Sequence, residues 1–119
     1  MKLQEAQELV LEFTRERAWD INTPSQRVTK LMAKIGPVAT TELAEEGVWL
    51  GAEGKSLERQ FGHVIFCLLV LANTLDIDLE TAFKAAMESN ATKNPPEATK
   101  EMCLQMYRER ASKFLAKMD

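Results

Sequence analysis

The chain has 119 residues, 45% of them apolar and 28% charged, with a net charge of −3. That suits one globular domain with a sizeable core. The 15 Lys and Arg residues are scattered along the chain, so no nucleic-acid polymer is expected as a partner. No apolar run reaches the roughly 20 residues of a membrane span, so no membrane partner is expected either.

The first ten residues are amphipathic and carry carboxylates, unlike a signal peptide. Cys67 and Cys103 lie far apart. Without an export signal they read as reduced core residues, and a cytoplasmic location is expected.

Residues 2–19 have the period of a helix. Leu3, Ala6, Val10 and Phe13 form its apolar stripe, widened by Leu9. Asp20 to Asn22 break the pattern. Thr23-Pro24-Ser25-Gln26 then predicts a helix start, with Thr23 as cap, Pro24 in the first helical position and Gln26 closing a capping box. Val28, Leu31, Met32 and Ile35 give the second helix its apolar face. Gly36-Pro37 interrupts it, and either a kink or a new helix follows. Residues 40–46 are again helical in character. Residues 47–56 hold three glycines and read as a loop containing Trp49.

Ser56 is set to cap a central helix running to about Leu75. Its part from Val64 to Ala72 is apolar on every side, the mark of a helix buried all round. Asp76 or Asp78 caps a further helix over 79–89, with Leu79, Ala82, Phe83 and Ala86 inward. Residues 90–96 read as a loop. A last helix covers 97–117, with Met102, Met106, Tyr107, Phe114 and Leu115 as its apolar contacts. No run alternates as a strand does. The expected fold class is all-α, a four- to five-helix bundle around the central helix.

Five pieces, in order, resemble the all-α MazG-like nucleoside triphosphate pyrophosphohydrolases, most closely their dCTP pyrophosphatase branch. They are the stretch from Phe13 through Glu16-Arg17-Ala18-Trp19; Thr23-Pro24; Glu42-Leu43-Ala44-Glu45 followed by Trp49; the central helix; and Asp76-Ile77-Asp78-Leu79 leading to Asn90-Ala91-Thr92-Lys93-Asn94-Pro95. The resemblance spans residues 3–96, with the last helix as an addition to a single MazG-like domain. It implies cleavage of an NTP or dNTP to a monophosphate and pyrophosphate. It also implies Mg²⁺ held by a Glu-x-x-Glu and a Glu-x-x-Asp on two facing helices, and assembly into a homodimer or homotetramer. Residues three apart share a helix face, so two such pairs make a pocket of hard oxygen ligands suited to magnesium.

The sequence departs from that pattern. Gln60 and His63 stand where the second pair has Glu and Asp. Neutral imidazole suits later transition metals better than magnesium. Counted forward from Pro24, the first pair falls on Lys34 and Pro37. Counted back from Trp49, it falls on Ala39 and Glu42, with Glu45 next. The second register is preferred, so Glu42, Glu45 and His63 are the candidate metal ligands. Trp19, Trp49, Gln60, Asn90 and Lys93 are the candidate nucleotide contacts, the tryptophans by stacking and Lys93 as a point charge near phosphate.

Each of these residues also has a plainer role. Glu42 and Glu45 suit a solvated helix face, His63 a surface position, the tryptophans a core or interface, and Asn90 and Lys93 a helix end. Three readings stay open. The first is a family member degenerate at the magnesium site that retains nucleotide or partner binding. The second is an active pyrophosphohydrolase with an altered metal set. The third is a helical scaffold unrelated to nucleotides.

Overall fold

The computed structural model describes residues 1–47 and 56–118. Among them are five α-helices and one 3-10 turn, and no strand. The protein is all-α. The chain forms two compact units, residues 1–82 and 83–119. No single helix among the described residues is long and apolar enough to cross a membrane.

In the first unit, α1 spans Leu3–Glu16. It ends three residues before the expected limit, because Ala18 turns left-handed (φ 58°) and throws the chain into a 3-10 turn at Trp19–Ile21. Helix α2 spans Pro24–Glu45. Its predicted capping box is formed. The Gln26 amide donates to Thr23 Oγ1 at 3.3 Å, and the Thr23 amide donates to Gln26 Oε1 at 2.8 Å.

Of the two expectations at Gly36-Pro37, the new helix is not observed: α2 runs through Pro37 as one element. The proline supplies no amide to the Ala33 carbonyl one turn back. On the following turn, hydroxyls bond back to the helix: Thr40 Oγ1 to the Gly36 carbonyl (3.2 Å) and Thr41 Oγ1 to the Pro37 carbonyl (2.9 Å).

Helix α3 spans Leu57–Thr74, with Ser56 as its cap accepting from the Arg59 amide at 3.2 Å. It packs chiefly against α2 and α1. The small core joins Val10 of α1 to Leu69 and Val70 of α3, with Ala6, Phe66 and Leu79 packed against it. Burial all round α3 is not observed. Leu69, Val70 and Ala72 are buried, but Ile65 is 49% exposed and Leu68 39%. Packing against α1 and α2 covers only part of the helix's circumference.

The packed face of α2 lies to one side of the expected one, with Leu31 common to both. Arg27 and Thr41 are its buried residues, with Leu31, Val38 and Ala44 half-buried on the same stripe, while Val28, Met32 and Ile35 are exposed. These positions recur every three or four residues, so they share one face.

One polar clamp fixes the α1–α3 corner. The Gln7 side chain donates to Asn73 Oδ1 (3.2 Å) and to the Ile77 carbonyl (2.8 Å), and it accepts from the Leu79 amide (2.9 Å). Asn73 Nδ2 donates back to the Gln7 carbonyl at 3.0 Å.

Helix α4, Leu79–Lys93, is four residues longer than expected. Asp78 receives the Glu80 amide at 3.3 Å and the Thr81 hydroxyl at 2.6 Å. Most of the expected second loop is therefore helix. Helix α5 spans Pro96–Met118. Its expected apolar contacts are exposed: Met102, Met106, Tyr107, Phe114 and Leu115 are all at least half in solvent.

Candidate functional site

The first unit contains a cavity of about 820 Å³ between α1, the 3-10 turn, α2 and α3. That is within the range of small-molecule sites. One wall is aromatic. Phe13 packs edge-on against Trp19 (centroids 5.7 Å apart) and against Phe66 (5.8 Å). Phe13 is 37% and Trp19 45% exposed, so ring surface is left for a ligand. The αL residue Ala18 makes this possible, because it ends α1 and turns Trp19 back toward Phe13.

The other walls are cationic. Arg27, Lys30 and Lys34 lie three and four residues apart on α2, and Arg59 and His63 lie four apart on α3. The remaining lining residues are Ala33, Gly62 and Cys67. No carboxylate is among them. Arg27 is only 4% exposed. Its Nη2 donates to the Trp19 carbonyl, tying the 3-10 turn to α2. Its Nε is buried and meets no hydrogen-bond partner among the described residues. A buried charged donor left unpaired is costly, and the guanidinium sets a buried positive charge in the cavity wall.

Next to the cavity, α2 and α3 meet through polar side chains. Gln60 Nε2 donates to Thr41 Oγ1 at 3.0 Å, while Gln60 Oε1 is buried without a partner among the described residues. Thr41, only 1% exposed, is thus the α2 residue that faces Gln60. Val38 stands one turn earlier on the same stripe.

The expected grouping of Glu42, Glu45 and His63 is not formed. Glu42 is one residue past Thr41, about 100° round the helix, and both Glu42 and Glu45 are exposed. Among the described residues, no three His, Cys, Asp or Glu side chains come together in a metal-binding group. A magnesium ion between α2 and α3, as the resemblance implies, would meet Thr41, Gln60 and His63, with Lys34 and Arg59 in the cavity wall. A hydroxyl, an amide and an imidazole beside cations do not fit a hard divalent ion that leans on carboxylate charge.

Of the other expected contacts, Trp19 and His63 line the cavity and Gln60 adjoins it. Trp49 lies outside the described residues. Asn90 and Lys93 are exposed on α4 in the second unit, whereas every cavity-lining residue belongs to the first.

Arg27, Lys30, Lys34 and Arg59 were not expected as site residues. The signal for three of them was present: their i, i+3, i+7 spacing places them on one face of α2. It was hidden because the apolar stripe at Val28, Met32 and Ile35 looked like the packing face. A second hollow of about 380 Å³ lies beside Gln7, Asn73 and Asp76, but the Gln7 and Asn73 side chains there are spent on the structural clamp. Neither a family model nor a curated protein sequence matches the chain.

Proposed function

We propose that the protein is a MazG-like helical module that binds a nucleotide in the cavity between α1, α2 and α3 and lacks the magnesium-dependent hydrolysis of the pyrophosphohydrolases it resembles. The observation that carries this reading is the pairing of an aromatic wall, Phe13, Trp19 and Phe66, with cationic walls and no carboxylate among the described lining residues. An aromatic face stacks on a nucleobase whatever its identity, at about 1–3 kcal/mol per base. Arg and Lys pair with phosphate.

The test is calorimetric titration of the protein with a panel of nucleotides, beside an assay for pyrophosphate release with Mg²⁺, Mn²⁺, Co²⁺ and Zn²⁺. Binding that falls at least tenfold in Trp19→Ala, without turnover, is expected. Metal-dependent pyrophosphate release that disappears in Glu42→Gln would overturn the reading in favour of an active enzyme.

Self-association into a homodimer or homotetramer belongs to the same proposal. Phe61, Ile65 and Leu68 form an exposed apolar stripe along α3, and Tyr107, Phe114, Leu115 and Met118 are exposed on α5. Isolated monomers seldom present such stripes to water.

A further inference from the structure

We infer that the cavity holds the phosphate end of its ligand directly on the protein's own cations, with Arg27 as the anchor and no divalent ion between them. This rests on reading the cavity as a nucleotide site, and it specifies the form of nucleotide bound: the metal-free anion.

Three observations lead to it. First, among the described residues the fixed charges lining the cavity are all of one sign: Arg27, Lys30 and Lys34 from α2, and Arg59 from α3. A cleft lined by one sign of charge concentrates the opposite ion. Second, Arg27 is nine-tenths buried, and its Nε lacks a partner while Nη2 is held by the Trp19 carbonyl. The Trp19 carbonyl thus holds one end of the guanidinium and fixes its positive charge in the cavity wall, where a phosphate can pair with it. Third, the α2 residue facing Gln60 is Thr41. No carboxylate takes that place to hold a cation between ligand and protein.

The arrangement also sets the ligand's orientation. The Arg27–Trp19 bond puts the anchor and the stacking wall side by side. The base then lies against Phe13 and Trp19, and the phosphates run along the Lys30–Lys34 edge toward Arg59. A magnesium-loaded nucleotide carries two fewer negative charges and has phosphate oxygens already engaged. It is the poorer ligand here, so Mg²⁺ acts as a competitor for the nucleotide.

The experiment titrates the full chain with ATP, dCTP and the matching unphosphorylated nucleosides, in EDTA and again in excess Mg²⁺. The Lys30→Gln/Lys34→Gln double variant is titrated alongside. Both lysines are exposed, so their loss leaves the fold intact, as a circular-dichroism melt would check. Arg27→Gln is added as the anchor variant.

Expected are nucleotide binding in EDTA, at least fivefold weaker binding in Mg²⁺, and at least tenfold weaker binding by the double lysine variant. Nucleosides should bind far more weakly than nucleotides. Binding that requires Mg²⁺ and is indifferent to the two lysines would overturn the inference and leave the nucleotide reading standing. Nucleosides binding as tightly as nucleotides would overturn phosphate anchoring alone. No binding of any nucleotide in either condition would overturn the inference and the nucleotide reading together.

Discussion

Replacing Gln7 by methionine tests whether the polar clamp, rather than the small apolar core, holds α1 onto α3. Methionine has nearly the same length and removes only the polar atoms. Three bonds are lost: to Asn73 Oδ1, to the Ile77 carbonyl and from the Leu79 amide. The fourth, from Asn73 to the Gln7 carbonyl, uses backbone and survives. A typical net value of about 0.5–1.5 kcal/mol per bond brackets the loss at roughly 1.5–4.5 kcal/mol. These bonds are only partly buried, so water replaces some of them, which places the expected loss near 2–3 kcal/mol. Urea unfolding followed by circular dichroism reads it as a lower midpoint at unchanged slope. Gln4→Met is the control. Gln4 is exposed and makes none of these bonds, so its change should stay within about 0.5 kcal/mol. A Gln7→Met loss no larger than the control's would refute the reasoning and make the apolar core around Val10, Leu69 and Val70 the main fastening.

Thr23→Ala removes half of the α2 capping box and should cost about 1 kcal/mol, seen in the same urea experiment. Gly62 sits inside α3, and a Cβ added there meets nothing within 4 Å. Gly62→Ala should therefore stabilise by about 0.5–1 kcal/mol, read as a higher melting temperature. Gly62→Leu should fill the cavity and abolish nucleotide binding while the helix signal is kept. Ile65→Asp, on the exposed stripe of α3, should lower the mass measured by light scattering from that of an oligomer to that of a single chain.

Local rules made the helices legible in the sequence. The Thr23 capping box, the Ser56 cap and the Asp78 turn are short-range chemistry, and each forms where its residues predict. The α1 stripe of Leu3, Ala6 and Val10 was legible too, but the buried face of α2 was not. On α2, the apolar residues Val28, Met32 and Ile35 outbid Arg27 and Thr41 in any hydrophobic count, yet Arg27 and Thr41 are the buried ones. Each of those two polar residues has a specific bond, to the Trp19 carbonyl and to Gln60 and the Pro37 carbonyl. A pairing across the chain leaves no trace in periodicity. The same blindness hid the site. Lys30 and Lys34 read as ordinary solvated charges until α3 brings Arg59 and His63 to the same cavity. At the proline the sequence left two outcomes open, a kink or a new helix, and only the new helix is ruled out. Gly36-Pro37 invites a helix break, but threonine hydroxyls on the next turn bond back to the helix, and α2 continues.

That continuity bears on the chemistry of the site. With α2 unbroken and Thr41 bonded to Gln60, the pair that meets across α2 and α3 is a hydroxyl and an amide, and His63 lines the cavity beside Arg59; none of the three is a carboxylate. A divalent ion would also have to approach the cavity's cations. At about 8 Å in water, each unit charge repels it by about 1 kcal/mol, less once salt screens it. Four such charges oppose its entry, and no carboxylate among the described lining residues offsets them. For the free anion every one of those terms changes sign. The aromatic wall is indifferent to the change, since stacking of a base on Trp19 and Phe13 involves no ion. Loss of metal chemistry and retention of the ligand are therefore compatible in one cavity. The sign of the charge lining it, more than its shape, decides which form of the ligand it takes.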